Sequence, residues 1–180
     1  IKGVDYNYGN IINSETIMWD GSMDFNNSFD NQNLAAIGIG MAEHIKSGVD
    51  LVQPLTLYAP KNRKVNLARP DANFTQTTFY NNGIFCVMQP KYDDNLVVMS
   101  IDLVREAYQL TEDYVTSIEI KCADEKVKSI KKQFNNILSE KYIILDQYEQ
   151  QADFYRITKI EKWTTFMILC FIVMIATFNI

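Results

Sequence analysis

Histidine is almost missing from this chain: His44 is the one imidazole among 180 residues. A histidine-built metal centre or a Ser-His-Asp triad would rest on it alone. It falls in Gly40-Met41-Ala42-Glu43-His44-Ile45-Lys46, a short helical stretch in which an exposed surface position is expected. Positive charge is also in deficit. Lys and Arg number 17 against 22 Asp and Glu, a net charge of −5, so a nucleic-acid partner has no electrostatic support. Cysteine is scarce, and Cys86, Cys122 and Cys170 are too widely spaced for a zinc site. Cys86 and Cys122 lie in strand-like runs and could bridge in an oxidising compartment; two separate small apolar side chains are the favoured reading.

Catalytic patterns are equally thin. Gly38 and Gly40 superficially resemble a phosphate loop, but the third glycine of a dinucleotide fingerprint and the Lys-Ser of a P-loop are lacking. A tight strand-to-helix turn is the expectation there. Asp93 and Asp94 are adjacent on a turn, where neighbouring carboxylates point apart instead of facing a common site. The chain is therefore expected to be non-catalytic and to carry no cofactor and no metal.

Two absences at the far end are the most informative. Proline and glycine are missing from Gln147 to Ile180, and charge is missing from Trp163 to Ile180. A charge-free run of about eighteen residues meets the working threshold for a transmembrane helix and reaches about 27 Å, close to the ~30 Å hydrocarbon core. One unbroken helix is expected from Gln147 into the bilayer, membrane-spanning from about Trp163, where an indole ring suits the boundary. A secretory leader is also lacking in the first thirty or so residues, and Ile1 is not an initiator methionine. The chain reads as an excerpt, cut upstream within a domain and downstream within a helix.

The preceding sequence reads as a water-soluble α/β region, 47% apolar overall, with room for one domain or two small lobes. Tyr6 to Gln32 is rich in Asn, Asp, Ser and Gly, which is loop chemistry, with Trp19 and Phe25 expected to pin it to the body. Leu34-Ala35-Ala36-Ile37-Gly38 is a short buried strand, followed by a helix ending near Ser47-Gly48, where the glycine is expected to supply the stop. Leu55-Thr56-Leu57-Tyr58 and Phe74 to Val87 read as two strands, with Gly83 as a bulge or close-approach point. Between them Lys61 to Asn73 is a polar, basic excursion in an acidic chain, long enough to be functional or floppy. Leu96 to Ser100 is a strand, and Ser100 caps an amphipathic helix. Tyr114 to Cys122 and Tyr142 to Leu145 read as strands around a helix capped by Asp124, with an apolar stripe of Val127, Ile130, Phe134, Ile137 and Leu138. The lysines on its other face, Lys126, Lys128, Lys131 and Lys132, suit a solvated surface. Strand, helix and strand at this length make a βαβ unit.

Several segments, in order, resemble one family. Glu161-Lys162-Trp163 through Phe178-Asn179-Ile180 looks like the start of the second transmembrane helix of ABC-transporter permeases of the lipoprotein-releasing type, relatives of the macrolide-exporter and cell-division permeases. Ile37-Gly38-Ile39-Gly40-Met41-Ala42 resembles that family's Gly-x-Gly-Leu-Ala turn. Leu55 to Pro60, Gly83-Ile84-Phe85 and Tyr92-Asp93-Asp94 are similar to segments that follow it.

The resemblance implies an α+β fold. A porter-like βαβ lobe carries an inserted smaller β-rich lobe, and a long C-terminal helix enters the membrane. Residues 1–32 would be the end of the first porter half and an Asn-rich loop, 33–100 the inserted lobe, 101–146 the second porter half, and 147–180 the helix. It further implies a domain on the periplasmic side of a bacterial inner membrane. ATP would be hydrolysed by a separate ABC ATPase subunit and the motion passed to a second permease subunit and to lipoprotein cargo. A periplasmic lipoprotein carrier would be captured by a protruding hairpin. By position that hairpin is Lys61 to Asn73, with Arg63, Arg69, Pro70 and Phe74 as contact candidates, since arginine and aromatic residues suit interface hot spots. Glu161, Lys162, Trp163, Phe178 and Asn179 would mark where the helix enters the membrane. Arg156, Lys159 and Lys162 by themselves favour a cytoplasmic domain under the positive-inside rule, which is weak for long translocated domains. Two alternatives stand beside this one: a permease of the same architecture for efflux of small molecules or peptides or for signalling to a cell-wall hydrolase, and an extracytoplasmic sensor.

Overall fold

A computed structural model describes residues 1–25, 32–61, 67–138 and 141–178, the side chains of residues 153 and 154 apart. Two compact units emerge, Ile1–Ile120 and Lys121–Ile180. The first is mixed α and β, built on a six-stranded mixed sheet.

The sheet grows around β3 (Leu34–Gly38), in which every residue is buried. A short apolar run with no alternation is what a strand covered on both faces requires. β5 (Phe74–Phe85) lies parallel to β3 on one side and β6 (Val97–Ser100) antiparallel on the other. β1 (Lys2–Val4) extends the sheet parallel to β6. β2 (Met18–Gly21) and β4 (Asp50–Pro60) both pair antiparallel with β5. The sheet thus draws strands from both sides of residue 32.

Alternation along β3 sorts the core. Ala36 packs with Val4, Phe85 and Val98 on one face, under Tyr8, Ile17, Met18, Met23 and Phe25. Ala35 meets Phe79, Met99 and Leu103 on the other, and Ile37 meets Ala42 and Ile84. Phe25 pins its loop as expected. Trp19 does not: it stands on β2, 72% exposed, because the alternation of that strand turns Met18 to the core instead.

Two short helices, α1 (Tyr8–Ile12) and α2 (Ser14–Ile17), precede β2 in the stretch expected to be loop, and the turns between elements follow local chemistry. β3 feeds α3 (Ile39–Ile45) with no cradle between them. A Cβ at Gly38 would overlap the Asp93 backbone carbonyl, and one at Gly40 would overlap the Asp94 carboxylate. Both glycines are there for close packing against α4 (Pro90–Asp93). α3 stops at Lys46, whose φ of 54° is left-handed, and not at the expected Gly48. Two amides, those of Lys46 and Ser47, close that turn on Ala42 and Glu43 carbonyls, so the stop is made before the glycine is reached. The close approach expected at Gly83 is present. Pairing with β3 skips Asn82, and a Cβ on Gly83 would lie 2.5 Å from both Met18 Cε and the Ser22 carbonyl. Asn82 uses its bulged position to donate from Nδ2 to the Ser22 and Asp24 carbonyls at 3.2 and 3.1 Å. Ser100 caps α5 (Ile101–Tyr108), its hydroxyl accepting from the Leu103 amide, and α5 buries Leu103 and Ala107.

Two expected strands are not formed. Residues 114–122 and 142–145 are irregular. Among the described residues no strand lies beside them, and Ile118 and Ile143 are 78% and 84% exposed. Strand propensity needs a partner's hydrogen bonds and a covered face to become a strand. The helix between them, α6 (Val127–Ile137), is formed. Asp124 does not cap it; it opens a 3-10 turn, Asp124–Lys126, that leads into the helix without a side-chain cap.

The expected single C-terminal helix is also divided. α7 (Gln147–Gln150) is followed by α8 (Ala152–Phe178), with Gln151 at φ −113° and ψ 30° between them. Missing proline and glycine remove two common breakers, yet the chain leaves the helical region at Gln151 and resumes it in α8. α8 is long and apolar enough to cross a membrane over Tyr155–Phe178, and none of that window is buried.

Candidate functional site

Two regions carry the residues singled out above: the tip of the β4–β5 hairpin and the start of α8. The hairpin is in register from Leu55 opposite Phe79 to Pro60 opposite Phe74. The Lys61 amide closes the last rung onto the Asn73 carbonyl at 2.8 Å, and Lys61 Nζ donates to the Ala72 carbonyl at 3.2 Å. The excursion therefore joins two paired strands, as expected. Arg63 lies outside the described residues. The other three candidates are brought to one place in the chain. Arg69 precedes the 3-10 turn Pro70–Asn73, Pro70 opens it with the fixed φ such a turn needs, and Phe74 follows it as the first residue of β5. All three are exposed.

Cross-strand pairing adds residues that the sequence reading passed over. Ala59 and Thr77 face inward and are buried. The opposite parity carries Tyr58 and Pro60 with their partners Gln76 and Phe74. Tyr58 is 58% and Phe74 42% exposed, so the outward face near the tip is a strip of two aromatic rings and a proline. Leu67 in the tip is 90% exposed. The signal for Tyr58 was its position across the hairpin from Gln76, two rungs from Phe74, which only a known register reveals.

At the other region Glu161, Lys162 and Trp163 are exposed on α8, and Phe178 is its last residue, also exposed. Asn179 lies outside the described residues. The threonines of α8 satisfy their own hydroxyls. Thr164 donates to the Ile160 carbonyl and Thr165 to that of Glu161, both at 3.0 Å, and Thr177 to that of Val173 at 2.8 Å. A hydroxyl bonded one turn back is tolerated in hydrocarbon, where an unpaired one costs several kcal/mol.

The segment leading to α8 is braced. Asp146 and Glu149 form a reciprocal capping box on α7, with bonds of 2.9 and 3.0 Å. Lys131 from α6 reaches the same pair, bonding Glu149 and lying 3.9 Å from Asp146. The Lys131 ammonium, and then the Asp146 amide, hold the Glu149 carboxyl below the usual carboxylate range. Tyr148 and Tyr155 span the break at Gln151, ring centroids 5.1 Å apart. The joint into α8 is thus held on both sides of its one non-helical residue.

The carboxylate pair Asp93–Asp94 is split in role, as its adjacency implied. Asp93 is buried and accepts from the amides of Val87 and Gln89, each at 2.9 Å, so it shapes the chain leaving β5. Asp94 faces Gly40. His44 is exposed on α3. Among the described residues no cluster of His, Cys, Asp or Glu is arranged to hold a metal ion, and the three cysteines are free thiols.

A scan against models of protein families finds no match, and no curated protein matches the chain.

Proposed function

We propose that this chain is the extracytoplasmic part of a membrane-embedded permease of the lipoprotein-releasing ABC type, transmitting the work of a separate ATPase to cargo outside the cytoplasm. The observation that carries this reading is α8: an apolar helix of membrane-crossing length that the described residues leave uncovered, joined to α6 and α7 by a braced elbow. A brace suits the passage of rigid-body motion, which a flexible tether cannot transmit. The protruding hairpin supports the same reading. Its tip presents Arg69, Pro70, Phe74 and Tyr58 outward, a composition suited to capture of a soluble carrier. The porter-like lobe belongs to this proposal as well: 114–122 and 142–145 flank α6 in the order strand, helix, strand and await neighbours with which to pair.

Photocrosslinking from positions 69 and 74 in the membrane-embedded protein, with mass-spectrometric identification of adducts, tests the proposal. A soluble lipid-binding carrier or acylated proteins would support it. Adducts with an adaptor of an efflux channel or with a cell-wall hydrolase would move the protein to another permease class. A well-expressed protein giving no protein adduct would refute the hairpin's docking role.

A further inference from the structure

A cavity of about 790 Å³ opens on the first unit, beside β2 and the start of α5. Its walls include the carboxylates of Asp5, Glu15, Asp20, Asp24 and Asp102. Aromatic rings stand among them: Tyr6, Tyr8, Trp19 and Phe25. Lysine and arginine are absent from the described lining, in a chain that has 17 of them. A second, smaller cavity shares Phe25, Ser100 and Asp102 with the first and adds another carboxylate, Glu106.

Some of this charge is already engaged. Asp102 pairs with Arg105 at 3.2 Å. Asp5 and Asp20 each lend one oxygen to a nearby backbone amide, of Asn7 and Gly21. Lys2 lies 4.5 Å above the Tyr8 ring, held by Glu119 and the Tyr8 hydroxyl. That contact shows one ring of the wall already beside a cation, which its hydroxyl holds. Trp19 is the informative member. A 72% exposed indole on a strand, on the rim of a cavity, buries little of its own surface, yet its π face is the best available to an ammonium ion. Carboxylates supply the long-range attraction, and Met18, Met23 and Phe25 supply an apolar floor.

We propose that this cavity binds a small organic cation: a quaternary or protonated amine with an apolar body, the charged head against Trp19 and the Glu15 and Asp20 carboxylates. The site is independent of the permease reading and would equally serve a sensor.

The test uses the full chain in phosphatidylcholine nanodiscs, in a Trp163→Phe background that leaves Trp19 as the only indole of the chain's two. Trp19 emission is titrated with benzyltrimethylammonium, with benzyl alcohol as the neutral control and benzenesulfonate as the anionic one. Saturable quenching by the cation alone is expected, at up to millimolar concentration, and each of Glu15→Gln and Asp20→Asn should weaken it about two- to fivefold. Both side chains are exposed, so unchanged circular dichroism is expected for these variants. An identical curve with benzyl alcohol, saturable binding of the sulfonate, no saturable response to the cation, or unaltered affinity in both carboxylate variants would overturn the proposal.

Discussion

Replacing Asp93 by Asn should loosen the chain between β5 and α4 without unfolding the sheet. The Asp93 side chain is 94% buried by its 6% exposure, and both carboxylate oxygens accept backbone amides, Val87 through Oδ1 and Gln89 through Oδ2, at 2.9 Å. Asparagine keeps one acceptor and offers an NH₂ to the other amide, so one donor is left unpaired in the interior. A hydrogen bond to a charged group contributes roughly 1.5–3 kcal/mol, and an orphaned buried donor costs about 1–3 kcal/mol. The loss is therefore on the order of 2–3 kcal/mol, concentrated at one amide. At about 1.4 kcal/mol per decade, amide hydrogen exchange at Val87 or Gln89 should accelerate roughly 30- to 100-fold. The amides of β3, which are bonded within the sheet, should change far less. Asp93→Ala, which removes both acceptors, should speed both amides. Protection at Val87 and Gln89 unchanged in both variants would refute the assignment of Asp93 as the anchor of this turn.

Other consequences are as definite. Gly38→Ala should destabilise the first unit more than Gly40→Ala, since the former meets backbone and the latter a side-chain carboxylate that can move; paired denaturation curves decide it. Phe85→Ala, at a side chain 2% exposed, should cost about 3–5 kcal/mol by the same assay. Burial alone would lower the Lys2 pKa, but the bonds from Glu119 and Tyr8 outweigh it and raise it above 10.5. Its contribution is then present below pH 10.5 and lost as pH rises through the folded value, so Lys2→Met should flatten the alkaline limb of stability. Glu149 has the opposite sign: its lowered pKa stabilises α7 above pH 4.5 and fails as pH falls through the folded value, and Glu149→Gln should remove that acid limb in exchange measured over residues 146–150. Ile172→Arg should release the chain from membranes in carbonate extraction, given a cost of about 2.5–3.5 kcal/mol for a charge at mid-helix; retention would count against α8 as a span.

Much of the architecture was open to reading from residue order. The continuous apolar run of Leu34 to Gly38 reads as a short buried strand, and Ser100 before an amphipathic run reads as a cap; both are found. Periodicity placed α6 within a residue or two, and the glycine at position 83 marked a close approach before any neighbour was known. The reading failed where pairing or competition decides. Residues 114–122 alternate like a strand yet have no strand beside them among the described residues, because a ladder is a property of two segments and not of one. Gln151 carries no breaking chemistry of its own, and nothing in the residue order marks the interruption found there. The excursion at Lys61 to Asn73 was legible by its charge and length, but which side chains near it face outward depended on the β4–β5 register. The cavity was not legible at all: its carboxylates and rings come from separated stretches at positions 4–25 and 100–102.

What sequence alone determined is the local and the one-dimensional: that α8 can cross a membrane, that the chain is acidic and nearly free of histidine, and that certain segments are helix or strand. Propensity, hydropathy and capping act between residues close in the chain, so residue order suffices for them. Tertiary structure alone decided which potential strands found partners, which turn ended a helix, and which distant carboxylates and aromatic rings came to share one cavity. Those outcomes depend on hydrogen bonds and packing between segments far apart in sequence, whose energies no single segment contains.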